Sequence, residues 1–241
     1  MNLLLQPIAQ ADLLLLLADF WRAPEQTAGT FDELSEDDLH SLIESTGLPD
    51  RQRLLSQLLT TWRVQQSTSL SERAAVYRAL FDGKIACPIN EATFIRRDKG
   101  AIIGDLCGFY RAFGWEHCSH GERADHLLVE LEFVAMLLVM SARAASAEQR
   151  ETTIAALAEF TRQHPNDWLT LFCQQIREST TYPYFLEASH LLESVWNALI
   201  QFHDWTVDMI TTNPVGFCDE PENPYECGAP DLVQLDTSVA K

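Results

Sequence analysis

Basic side chains are scarce in this 241-residue sequence: 17 Lys and Arg stand against 35 Asp and Glu, for a formal net charge of -18. So acidic a surface repels nucleic acid and anionic lipid and attracts basic partners. Helix breakers are few as well, ten Gly and ten Pro, which suits helices joined by modest loops. No run approaches the roughly 20 apolar residues that a membrane-crossing helix needs. The leucine-rich opening, MNLLLQPIAQADLLLLLADFW, lacks the basic flank of an export signal, and Asp12 and Asp19 bracket its short leucine run. Six cysteines, at 87, 107, 118, 173, 218 and 227, include no CxxC pair, so a disulfide-dense secreted scaffold is not expected. Neither a GxxxxGK[ST] phosphate loop nor a GxSxG nucleophile elbow occurs, which argues against an NTPase or a serine hydrolase. The expectation is a reduced, cytoplasmic protein without a cofactor, with 46% hydrophobic residues to build a sizeable core.

What is present reads as helix after helix. An apolar stretch around 13–21 ends at Pro24, and Ser35 with Asp38 forms a capping box whose helix Gly47 and Pro49 close. A third helix spans about 50–66, with Leu54, Leu55, Leu58 and Leu59 on one face. Ser69 with Glu72 opens SERAAVYRALFDG, and Ser146 with Gln149 opens a helix that stops before Pro165. Two more follow in NDWLTLFCQQIREST and in the segment from Pro183 to Ile210. Residues 84–101, KIACPINEATFIRRDKGA, read as an extended loop on the bundle surface. No strand-period run or internal repeat is evident. The expected fold is all-α: one helical-bundle domain of about nine to eleven helices over residues 1–210. An irregular, acidic, Pro-containing tail over 211–241 follows it.

The central segment, GERADHLLVELEFVAML, runs from a polar cluster into a helix expected over about 125–143. Leu127, Leu131, Val134, Ala135 and Leu138 share one face, and Val129, Phe133, Met136 and Leu137 another, so the helix is buried from two sides. Two acids inside it, Glu130 and Glu132, require hydrogen-bonded or cationic partners. Asp125 suits the cap position, and His126 lies one turn before Glu130. A capped helix with internally paired acids explains the pattern as well as a functional site does.

Metal ligation is the competing reading. His117, Cys118 and His120 lie close together, and Cys218 and Cys227 flank the acidic tail segment. Either group would suit a helical metal-binding hydrolase or redox protein, although neither has an established zinc spacing.

Three ordered pieces resemble the TorD/DmsD/NarJ family of cytoplasmic chaperones for molybdoenzyme maturation. They are YRALF at 77–81, CPINEATF followed by IIGDLCGFYRAFG, and GERADHLLVELEF with its Asp-His pair. The family favours Pro after the Glu of that last motif, where Arg123 and Ala124 stand here. The resemblance implies a binding protein rather than an enzyme. It would hold the twin-arginine leader and the apo form of a molybdenum-containing oxidoreductase subunit until the cofactor is inserted. Carried onto this sequence, it points to Tyr77, Leu80, Phe81, Pro88 and Tyr110 for the apolar floor. It points to Glu91, Glu122, Asp125 and His126 for the leader's charged end, with Gly104 beside them. Carboxylates accept forked hydrogen bonds from guanidinium groups, a geometry that lysine does not reproduce. A monomer and a dimer are both compatible with the sequence.

Overall fold

Side chains that turn an oxygen onto a free backbone N–H mark where the helices begin. Ser35 Oγ accepts from the Asp38 N–H at 3.2 Å, and Asp38 accepts from the Ser35 N–H at 3.0 Å, so the expected capping box forms. Ser69 accepts from Glu72, Asp98 from Ala101, and Ser146 from Gln149 in the same manner. Pro165 and Pro183 occupy first turns, where a missing N–H leaves no bond unmade. Gly47 closes the second helix at φ 69°, a left-handed backbone conformation that side-chain-bearing residues rarely adopt.

The computed structural model describes residues 5–27, 31–82, 86–115 and 122–205. Over these residues the chain is ten α-helices: α1 Leu5–Trp21, α2 Glu36–Thr46, α3 Arg51–Ser67, α4 Leu70–Phe81, α5 Glu91–Phe94, α6 Lys99–Ala112, α7 Leu127–Arg143, α8 Ala147–Gln163, α9 Pro165–Ser179 and α10 Pro183–His203. The all-α architecture expected from the pattern is the one observed. Only an isolated antiparallel bridge, Asn90 with His126, has β geometry among the described residues.

Helix α7 is the axis of the bundle. Eleven of its 17 residues are buried, which leaves almost no face for water and identifies it as the interior helix. Helices α1 and α8 both pack on it, α2 packs on α1 and α3, and α9 joins α8, α10 and the single turn of α5. Phe133 links three helices: its ring lies 4.7 Å from Tyr110 of α6 and 4.7 Å from Phe160 of α8. Each such fully buried side chain contributes roughly 1.5–3 kcal/mol of transfer free energy.

Three boundaries differ from the sequence reading. The central helix starts at Leu127 rather than Asp125, because His126 takes the cap position and its Nδ1 accepts the Leu128 N–H at 3.2 Å. The 84–101 segment does not merely lie on the surface. It contains α5 and the start of α6, and it buries Cys87, Ile89, Glu91 and Ala92. The last helix stops at His203, where Asp204 adopts a left-handed φ of 54°, short of the expected Ile210. Residues 211–241, with Cys218 and Cys227, lie outside the described residues, as do His117, Cys118 and His120.

Candidate functional site

The loop before α5 and the residues before α7 are joined by backbone bonds. The Leu127 N–H donates to Ile89 O at 3.1 Å, and the Glu91 N–H donates to Asp125 O at 2.9 Å. This pairing turns Asp125 away from α7, so it braces the loop instead of capping the helix. Its carboxylate accepts from the Ala92 N–H and from Asn90 Nδ2, both at 3.3 Å, and from Arg123 Nη2 at 2.9 Å. The Tyr110 hydroxyl donates to Ala124 O at 2.7 Å and fixes the residue before it. Four of the expected site residues, Glu91, Tyr110, Asp125 and His126, are thus brought to one junction, and Glu122 is tied to it through His126.

His126 does not reach the Glu130 side chain as expected. Its Nδ1 is occupied as the helix cap, so Nε2 carries the proton and points to Glu122 Oε2 at 3.3 Å. Burial, followed by the nearby Arg22 and Arg123 guanidinium groups, pulls its pKa down to about 4. At neutral pH it is therefore an uncharged hydrogen-bond donor. Glu132 likewise pairs elsewhere, with Arg22 of the α1–α2 connection, which also holds Asp19 at 2.8 Å.

Behind the junction lies an interior acid cluster that the spacing did not reveal. Both Glu91 oxygens lie within 3.2 Å of His164 Nδ1, with neither side chain more than 1% exposed. Glu130 Oε2 accepts from Trp168 Nε1 at 3.0 Å. Burial, then the Glu91 carboxylate, raises the Glu130 pKa well above the ordinary range, so it is held protonated. His164 and Trp168 lie 73 and 38 residues from their acid partners. A local pattern carries no trace of such pairings, and the Pro after His164 was the only punctuation nearby.

The outward face is centred on Tyr77. Its ring lies 4.9 Å from Phe81, which meets Phe185 at 5.8 Å. Burial raises the Tyr77 phenol to about 12, with further contributions from Glu122, Asp82 and Glu25. It stays a protonated, uncharged hydroxyl at neutral pH. Leu80 and Phe81 are buried, but the Leu80 carbonyl accepts both the Ala86 and Cys87 N–H groups at 3.0 Å, tying α4 to the loop beside half-buried Pro88. Gly104 stands apart on an exposed part of α6, and a Cβ there would meet nothing within 4 Å. It therefore serves no close helix contact.

Glu91 and Asp125, at 1% and 0% exposure, are thus not directly open to an incoming group, whereas the Glu122 side chain is 37% exposed. Among the described residues no three His, Cys, Asp or Glu side chains are arranged to hold a metal ion. No described helix is long and apolar enough to cross a membrane.

Comparison with known proteins gives one informative match. The family model described as nitrate reductase delta subunit matches residues 43–174. That span runs from α2 to α9 and includes the whole junction. No curated protein matches. A crystal structure from Archaeoglobus fulgidus, provisionally described as a redox enzyme maturation protein, is 18% identical, with a TM-score of 0.44. The alignment covers 78% of this chain and 93% of that one.

Proposed function

The chain belongs to the nitrate reductase delta subunit family, the NarJ/TorD-type maturation chaperones, and on that premise we propose that it binds an export leader. The leader is the twin-arginine segment of a molybdenum-containing oxidoreductase subunit. Binding it, together with the apo form of that subunit, delays export until the client's cofactor is in place. The work is done by association, with no bond made or broken, inside the cytoplasm.

One observation carries the reading: the half-buried Tyr77 ring lies 4.9 Å from Phe81 on a part of the surface that also carries the acidic side chains of Glu122 and Asp82. Tyr77, with Phe81 beside it, offers apolar area, and Glu122 and Asp82 supply negative charge near it, while Glu25 is paired with Arg78 at 3.0 Å. A leader presents two guanidinium groups followed by a short apolar helix, which is the complementary pattern. Pro88 lies at the adjoining loop, and Leu80 and Tyr110 support the floor from within. The buried Glu91, Asp125 and His126 act in this reading as the scaffold that presents Glu122. Gly104, on an exposed part of α6, stands apart from this face. The net charge of -18 favours encounter with a basic segment.

The test is calorimetric titration of the purified chain with a synthetic twin-arginine leader peptide. Glu122→Gln should weaken binding by about three- to tenfold while leaving helix content unchanged. Replacing both peptide arginines by lysines should weaken it at least as much. Equal affinity of the wild type for the arginine and lysine peptides rejects the reading.

A further inference from the structure

Between the first turn of α3 and the C-terminal half of α10 lies a cavity of about 150 Å³ that opens to solvent. Buried Leu54 and Ala198 form its apolar lining, and Asp50, Arg53 and Asn197 are exposed at its edge. At roughly 30 Å³ per water, about five waters would fill such a space, which suits a small amino acid and not a nucleotide. None of these residues belongs to the junction or to the Tyr77 face.

Two charges of opposite sign line this cavity without neutralising each other. Asp50 is the N-cap of α3, yet its left-handed φ of 54° carries the carboxylate off the helix end, and it makes no cap hydrogen bond. The first turn of α3 holds no acid but two cations, Arg51 and Arg53, the reverse of what the helix dipole favours. Arg51 is paired with Glu44 at 3.5 Å, whereas Arg53 has no carboxylate within 4.0 Å among the described residues. On the opposite wall Glu193 is already matched by Arg177 at 3.0 Å, and Asn197 offers an amide that both donates and accepts. A lone anion is drawn to Arg53 and repelled by Asp50, and a lone cation meets the reverse. A molecule that carries both charges satisfies the two together.

We propose that this cavity binds a small zwitterion, a free α-amino acid with a short apolar side chain. Its carboxylate takes Arg53, its ammonium takes Asp50, and its side chain lies on Leu54 and Ala198. Bound there, it links the start of α3 to α10. The assignment is independent of leader binding.

The experiment titrates the full chain by calorimetry at pH 7 and fixed ionic strength with L-valine, N-acetyl-L-valine and L-valinamide. The second probe lacks the cation and the third lacks the anion. L-Valine should bind saturably and raise the thermal midpoint, and each blocked analogue should bind at least tenfold more weakly. Asp50→Asn and Arg53→Gln each remove one exposed charge, and Asn tolerates the left-handed backbone, so both variants should keep the helix content of wild type. Each should weaken L-valine binding by about three- to tenfold. Arg51→Gln, which makes the same charge change outside the cavity, should leave the affinity unchanged. Absence of saturable L-valine binding overturns the proposal, as does equal binding of either blocked analogue. Unchanged affinity in Asp50→Asn or Arg53→Gln also overturns it, and so does an equal loss in Arg51→Gln, which would mark a bulk-charge effect.

Discussion

Glu130 lies buried between the Glu91 carboxylate and the Trp168 indole, and its raised pKa makes it a proton store in the folded state. A carboxyl raised above its unfolded value of 4.5 contributes stability that is complete below that pH. The contribution is lost as pH rises toward the folded value, because only the unfolded chain then gains by releasing the proton. Glu130→Gln keeps an oxygen for Trp168 and removes the titration. Between pH 5 and pH 8 the variant should lose less stability than wild type, by on the order of 1 kcal/mol, in urea melts. His126 and His203 act on the opposite limb. Both are depressed from 6.5 to about 4, so their contribution is present above pH 6.5 and disappears as pH falls through 4. His126→Asn, which retains a capping oxygen, should flatten part of the wild type's acid limb. An unaltered slope between pH 6.5 and 4 would count against a neutral His126.

At the scale of elements, α7 decides cooperativity because the bundle is built on it. Phe133 touches rings on α6 and α8 as well as Trp115 at 5.3 Å. Phe133→Ala should therefore cost about 3–5 kcal/mol, read as a lowered chemical-denaturation midpoint. Ser146→Ala removes one N-cap bond at the start of α8 and should cost only about 1 kcal/mol. If the two variants unfold at the same midpoint, α7 is not the structural axis proposed here. The junction before α7 has a different character. Its backbone pairing, Leu127 to Ile89 and Glu91 to Asp125, is strand-like geometry between two helix ends. That pairing holds the Asp-His motif still and leaves Arg123 and Glu122 at the rim.

For the molecule as a whole, charge sets the terms of association. With 35 acids against 17 bases, binding of a cationic leader should weaken with salt, by roughly tenfold between low and physiological ionic strength. The same titrations repeated over a salt series provide the measurement. An affinity independent of salt would leave the apolar floor around Tyr77 as the sole source of binding. The family match over residues 43–174 takes in α3 to α8, the junction and the Tyr77 face, so the proposed site lies on the part of the chain that family membership describes.

Much of this architecture was legible locally. Capping serines, closing glycines and prolines, and the two apolar faces of α7 each act within a few residues, so the sequence by itself determined an all-helical chain with a buried central helix. It also marked Tyr77, Glu122, Asp125 and His126 through motifs that are contiguous. Tertiary structure decided the rest, because the partners are far apart along the chain. The pairing of loop 89–92 with 125–127 took Asp125 from the helix cap, His126 replaced it, and His164 and Trp168 arrived to hold Glu91 and Glu130. Which acids face solvent and which face the core depends on packing between helices. Periodicity along one helix places a side chain on a face, but only the neighbouring helices decide whether water reaches it.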